Sequence, residues 1–313
     1  MKIIVVANSK GGVAKTTTTL VLAEYLSAKK SYGVLTIDLD QQSGISKLLV
    51  RGFRTGHNKI VKDGKTVDHY FMGAIDAETP ANLSNFISKN VNQIRSNTGT
   101  APGRMLLISS ASDVDDIARE LQVAVEVSGE DIEVSEQNKE LSSTYQNRAR
   151  NISEVFRRDL YAMAAADKID FVLIDTPSGR PFLSDVALWT ADLILIPVTP
   201  EFLPVTETGR FIELLGKKED AVGAKFPTPY VLFTRVQNSN RPMIDSVVGG
   251  MIEPKIAKRC EFMESRVVQK EEYNINPLVA SVVFEERYPS ALKAIATLGN
   301  ELLRLTGDGN PAR

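Results

Sequence analysis

The sequence predicts a doubly wound α/β fold, a mostly parallel sheet with helices on both faces. Three observations predict it. Short apolar, β-branched runs alternate with longer helical patterns along the chain. A loop rich in glycine and lysine joins the first run to the first helix. Two further runs end in aspartate. Continuous apolar strands separated by helices suit a parallel sheet covered on both faces. Such sheets take their ligands beyond the carboxyl ends of the strands.

The first strand is expected over Lys2–Ala7 and the first helix over Thr16–Lys30. Further strands are expected at Gly33–Asp40, Arg104–Ser110, Asp170–Thr176, Asp192–Val198, Pro229–Arg235 and Leu278–Phe284. The polar stretch Arg51–Gly103 breaks the alternation. Within it, "KIVKDGKTV" predicts a hairpin turning on Asp63–Gly64, and Pro80–Ile94 predicts a helix. Val123–Asp167 is polar and helical in pattern, and a last helix is expected over Ser290–Leu305. There is no internal repeat. The chain reads as one domain over residues 1–306, elaborated at about 51–103, with 307–313 a disordered tail.

Composition excludes several classes. The formal net charge of −2 rules out a protein that coats nucleic acid over its whole surface, but not a local basic patch. Cys260 is the single cysteine, so no internal disulfide and no cysteine-built metal site can form within one chain. His57 and His69 lie near Asp63 and Asp68 in a polar stretch, which reads as a solvated loop rather than a metal site. No apolar run approaches the roughly 18 residues of a membrane span. The N-terminal strand enters a glycine loop rather than a cleavage site, so the expected location is the cytoplasm.

The loop reads "NSKGGVAKTTTT", Asn8–Thr19. A standard phosphate loop is G-x-x-x-x-G-K-[ST] between a strand and a helix. Aligned on Lys15–Thr16, this chain has Ser9 and Ala14 where the two glycines belong. Gly11 and Gly12 still let the backbone of Gly11–Ala14, including Val13, approach a polyphosphate, with N–H groups and the helix start facing the anion. Lys15 can reach the β- and γ-phosphates, the Thr16 hydroxyl can ligate Mg²⁺, and Thr17 can bond a further phosphate oxygen. A glycine-rich turn of no function would not need Lys-Thr at this offset.

Lys10 has no place in the standard loop. "KGGVAKTT" resembles the deviant Walker A signature of the ParA/MinD family of ATPases, in which Ala14 stands where most members have glycine. "VLTIDLDQQSG" resembles the family's second motif, with Gln41 in place of a proline, and "FVLIDTPSG" resembles its Walker B strand ending in Asp175. Aspartates after strands are commonly turn or cap residues; three motifs in order point instead to a nucleotide site. The resemblance covers nearly the whole chain, with Arg51–Gly103 matching poorly.

The resemblance implies ATP and Mg²⁺ as cofactors. It implies that Lys15 holds the phosphates, that Thr16, Asp38 and Asp175 serve the metal, and that Asp40 orients the attacking water. It implies that Lys10 crosses a homodimer interface to the partner's nucleotide, so that ATP sandwiches two subunits and hydrolysis releases them. Pro200, Thr234 and Arg235 end later strands at the same edge and are candidate adenine contacts. ParA members bind DNA nonspecifically as ATP dimers and associate with the nucleoid; a ParB-like or cargo adaptor partner stimulates hydrolysis, which segregates plasmids or chromosomes. MinD-like membrane binding is disfavoured, because "TGDGNPAR" after the last helix lacks an apolar face and lysines. Lys255, Lys258, Arg259 and Arg266, in a stretch read as helical, with Arg287 and Lys293, form a candidate DNA surface or a solvated face. The rival reading from another class is an ATP-dependent small-molecule ligase of the dethiobiotin synthetase type, which shares fold and loop.

Overall fold

The computed structural model describes residues 1–75, 82–99, 101–111, 142–179, 182–274 and 281–307. Seven strands form a single sheet: β1 (Lys2–Val6), β2 (Val34–Asp38), β3 (Met105–Ile108), β4 (Phe171–Asp175), β5 (Leu193–Val198), β6 (Tyr230–Val236) and β7 (Glu261–Val268). Their order is β3-β2-β4-β1-β5-β6-β7, and every pairing is parallel. The helices are α1 (Lys15–Lys30), α2 (Gly44–Leu49), α3 (Phe53–Lys62), α4 (Val67–Ile75), α5 (Ser143–Asp167), α6 (Phe182–Thr190), α7 (Phe202–Val222), α8 (Arg241–Val248), α9 (Pro254–Arg259), α10 (Phe284–Arg287) and α11 (Leu292–Leu305).

The inner strands are buried on both sides, which is why they read as unbroken apolar runs. Ile3, Val5, Leu35, Ile37, Val172 and Ile174 face one core with Phe156 and Leu160 of α5 and Phe211 of α7. Ile4, Val6, Leu107, Leu173 and Leu195 face the other, with Leu22 and Leu26 of α1 and Ile295 and Leu302 of α11. Burial of such side chains contributes about 1.5–3 kcal/mol each. Helices α1 and α11 pack closely: a Cβ at Gly299 would lie 2.2 Å from the Tyr25 ring. Glu24 on α1 is buried between Arg287 and the Tyr288 hydroxyl.

Five expectations are corrected. The seventh strand is Glu261–Val268, not Leu278–Phe284. Leu278–Ala280 lie outside the described residues; beyond them Val283 makes an isolated bridge with Arg95 and Phe284 begins α10. The stretch read as one helix through Arg266 ends at Arg259, and Cys260 turns extended at φ −129°. An edge strand has a solvated side, so "EFMESRVV" exposes Glu261, Glu264 and Arg266 around buried Met263 and Ser265, and these charges hide its strand character. The predicted hairpin is two helices, α3 and α4. Asp63–Gly64 stops α3, with Gly64 at φ 63°, the left-handed conformation that ends helices as readily as it turns hairpins. Of the helix expected over Pro80–Ile94, residues 80–81 lie outside the described residues, and the rest is a short 3₁₀ turn at Leu83–Phe86 followed by extended backbone, where Ser88 bridges Leu107 and Val91 bridges Val50. The predicted solvated histidines also differ: His57 is buried on α3, whereas His69 is exposed on α4. Residues 123–141 of the predicted helical stretch, and 308–313 of the predicted tail, lie outside the described residues. Among the described residues no helix is long and apolar enough to cross a membrane.

Candidate functional site

The loop between β1 and α1 is held from several sides. Buried Asn8 donates from Nδ2 to Pro197 O and Thr208 Oγ1, both at 2.9 Å, and its Oδ1 accepts from Lys10 N at 3.0 Å. Gly179 N donates to Ser9 O at 3.0 Å. Thr234 Oγ1 donates to Val13 O at 3.0 Å. The turn needs left-handed backbone at Gly12 (φ 77°) and Ala14 (φ 71°). A Cβ in that region costs about 1–2 kcal/mol. Glycine at 14 would avoid that cost, a physical reason for the usual residue there. Among the described residues no side chain caps α1, so its first N–H groups point at the loop and favour an anion.

Lys15 opens α1 and is buried, 7% exposed. Its Nζ donates to Lys10 O at 3.2 Å and Ser178 Oγ at 3.1 Å. Burial lowers its pKa, while Asp175 and Asp40 pull it back up. Thr16 Oγ1 donates to Asp175 Oδ2 at 2.7 Å. Asp38 and Asp175 stand opposite each other in the register of adjacent strands β2 and β4. Asp38 Oδ2 accepts from Ser46 N at 2.9 Å and Ser46 Oγ at 2.6 Å, and Oδ1 from Asp40 N at 3.0 Å. Burial pushes the Asp38 carboxyl up to about 6 against those hydrogen bonds. Burial, and then the Asp38 charge, push Asp175 well above the usual carboxylate range.

Two buried carboxylates side by side, each already accepting hydrogen bonds, form an acidic oxygen donor set. Oxygen donors of this kind, beside the Thr16 hydroxyl, suit a hard dication that keeps several waters and phosphate ligands. Mg²⁺ is that kind of ion, and the residues fit it. Asp40 is less enclosed: Oδ1 accepts from Gln42 N at 2.9 Å, and its carbonyl closes a turn with Ser43 N at 2.7 Å. Gln41 is the second residue of that turn, where proline is favoured, so the departure from the family proline keeps the turn.

A cavity of about 280 Å³ adjoins the loop, lined in part by Ala14, Thr17, Thr234, Arg235, Gln269 and Tyr273. Thr234 and Arg235 therefore border the same space as the loop. Pro200 is not part of its lining; its carbonyl accepts from Asn240 Nδ2 at 3.5 Å. Lys10 keeps its carbonyl on Lys15, and among the described residues its ammonium has neither an ion pair nor a hydrogen bond. Sequence reasoning missed Asn8, Ser46 and Ser178. Asn8 and Ser178 sit inside quoted motifs, but only long-range contacts give them their roles. It also missed the Gln269–Tyr273 wall, because β7 was misplaced.

This arrangement is that of the phosphate-loop NTPase fold. The chain belongs to the AAA domain family, in its ParA/MinD branch of deviant Walker A proteins: a family model described as an AAA domain matches residues 1–225. A protein of Rhizobium rhizogenes carrying the provisional name replication protein A is 30% identical over 248 residues, covering 77% of this chain and 52% of its own length. The chain thus spans about half the length of the curated relatives it matches. Cyanothece McdA, solved as a variant in complex with ATP, superposes with a TM-score of 0.63 at 17% identity, covering 96% of each chain. The pNOB8 ParA bound to nonspecific DNA gives 0.59 at 18% identity, covering 98% of this chain and 99% of that one. At these identities the two structures establish the fold.

Proposed function

We propose that this protein is a ParA-type ATPase that dimerises on ATP, binds DNA without sequence preference and moves plasmid or chromosomal cargo when a ParB-like partner stimulates hydrolysis. One observation carries the reading: the loop has two lysines in different states. Lys15 is buried against its own loop, and Lys10 is held by its backbone with its ammonium unpaired among the described residues. A lysine so placed is available to a phosphate on a second subunit.

Phosphoryl transfer is catalysed by positioning and charge neutralisation. Lys15 and the N–H groups at the start of α1 bind the phosphate oxygens. Thr16, Asp38 and Asp175 would hold Mg²⁺, which would supply positive charge to neutralise the phosphates. Asp40 orients the attacking water by accepting a hydrogen bond from it. Lys10 of each subunit completes the other's site. A small-molecule ligase would share the loop but would not need Lys10 between subunits.

The test uses Lys15→Ala and Lys10→Ala, titrated with a fluorescent ATP analogue and sedimented alongside. Losing Lys15 removes a charge-assisted contact worth about 1.5–3 kcal/mol, so affinity should fall about tenfold or more. Lys10→Ala should leave monomer affinity near wild type and abolish the ATP dimer. Equal loss of affinity in both variants would end the trans-acting role.

A further inference from the structure

The segment Arg51–Gly103, which carries none of the family motifs, is cationic. Between Arg51 and Gly103 seven lysines and arginines stand against four acids, in a chain of net charge −2. Among the described residues, a groove of about 800 Å³ runs between α3 and the extended backbone after Phe86. Lys59, Lys65 and Lys89 line it with Asn85 and Asn90, and Asp63 is the acid on its wall. All three lysines are exposed, and none has an ion pair among the described residues.

The walls are fixed by backbone contacts. Arg51 N donates to Asn90 O at 3.0 Å, Asn92 N to Leu49 O at 2.8 Å, and Ser88 N to Leu107 O on edge strand β3 at 2.7 Å. Ile60 and Ile87 are buried beside it. A preformed groove loses little entropy when it is filled. The opposite edge of the sheet contrasts with it. There Lys255 pairs with Glu213, and Arg304 with Glu264.

We infer that the Lys59–Lys65–Lys89 groove is a binding site for the phosphate backbone of DNA. The inference rests on the DNA-binding reading above and names its surface. Three ammonium groups without an ion pair among the described residues neutralise phosphates and release their counterions. The asparagine amides can donate to phosphate oxygens, which positions a duplex without reading its sequence. Asp63 opposes this but leaves a cationic excess. Helix α3 also ties the groove to the nucleotide site. His57 Nε2 lies 3.0 Å from Ser110 O, and Ser110 Oγ donates to Asp40 O at 2.6 Å.

The experiment measures binding of a random-sequence duplex by fluorescence anisotropy across a salt series, with Mg²⁺ and a non-hydrolysable ATP analogue. It compares wild type, a Lys59→Ala/Lys65→Ala/Lys89→Ala variant, and a Lys255→Ala/Lys258→Ala variant. Each lost phosphate contact should lower the slope of log affinity against log salt by about 0.9, so the triple variant should lose about 2–3. Its affinity should drop at least about tenfold at about 0.1 M salt, while its affinity for the ATP analogue stays at wild type and reports an intact fold. The double variant should keep the wild-type slope. A triple variant that binds DNA like wild type overturns the groove and leaves the DNA reading standing, as does a loss confined to the double variant. Wild-type protein that binds no duplex overturns both.

Discussion

At the carboxyl ends of β1, β2 and β4, Lys15, Asp38 and Asp175 are buried and bonded to one another's neighbours. Between Arg51 and Asn90, Lys59, Lys65 and Lys89 stand in solvent. The first region holds its charges in an arrangement that costs stability until a cation and an anion arrive. Two carboxylates with raised pKa values and a lysine with a lowered one record that cost. The second region leaves its charges hydrated, so they cost little and can be spent on a polyanion. Buried charge gives geometric selectivity for a small ligand; hydrated charge gives sequence-tolerant, salt-sensitive attraction. The path His57–Ser110–Asp40 joins the two.

The largest effect should come from within the buried region. Ser46→Ala removes the 2.6 Å hydrogen bond to Asp38 Oδ2. A bond to a buried carboxylate contributes about 1.5–3 kcal/mol, so urea unfolding at pH 7.5 should show a loss of that size. A variant within about 0.5 kcal/mol of wild type would mean that Asp38 is not held as tightly as described.

The junction should come next. Burial lowers the His57 pKa, and Lys47 lowers it further against the hydrogen bond at Ser110 O. A histidine kept neutral in the fold takes up its proton in the unfolded chain first, so stability falls as pH drops below the unfolded value of about 6.5. His57→Gln should cost about 1 kcal/mol at pH 8, and this deficit should shrink between pH 6.5 and 5. Thermal melts across that range decide it; a constant deficit would refute the neutral histidine. The same variant should weaken the dependence of DNA binding on ATP if the junction carries the signal.

The smallest effect should appear where the elaboration is anchored to the core. Glu285 accepts from Lys29 at 2.7 Å, Ser96 at 2.6 Å and Asn97 N at 3.0 Å. Partial burial opposes its ionisation, but the hydrogen bonds from Lys29, Ser96 and Asn97 outweigh it and hold the carboxyl at about 2. A depressed carboxyl contributes stability above its unfolded pKa, which is lost as pH falls toward the folded value. Glu285→Gln should therefore lower the melting temperature by a few degrees at pH 7, an effect of under about 1 kcal/mol for a solvated pair. The difference from wild type should narrow from pH 4.5 downward, and a widening gap would contradict the assignment.

Much of this protein was legible in the sequence because it is local. Buried strands such as "FVLID" announce themselves by composition, and the offset of Lys15–Thr16 from the glycines is fixed by the turn between β1 and α1. The aspartates ending β2 and β4 could be read for the same reason. The tertiary structure alone decided the rest. Edge exposure disguised β7 as a helix. Asp63–Gly64 fits a hairpin turn or a helix stop, and only the partners of α3 and α4 choose between them. The facing of Asp38 and Asp175 needs the register of two strands that are over a hundred residues apart in the chain. The burial of His57, the clamps from Asn8 and Ser178, and the convergence of Lys59, Lys65 and Lys89 on one groove likewise depend on neighbours distant in sequence. Periodicity records which side of an element is buried, but not what it is buried against.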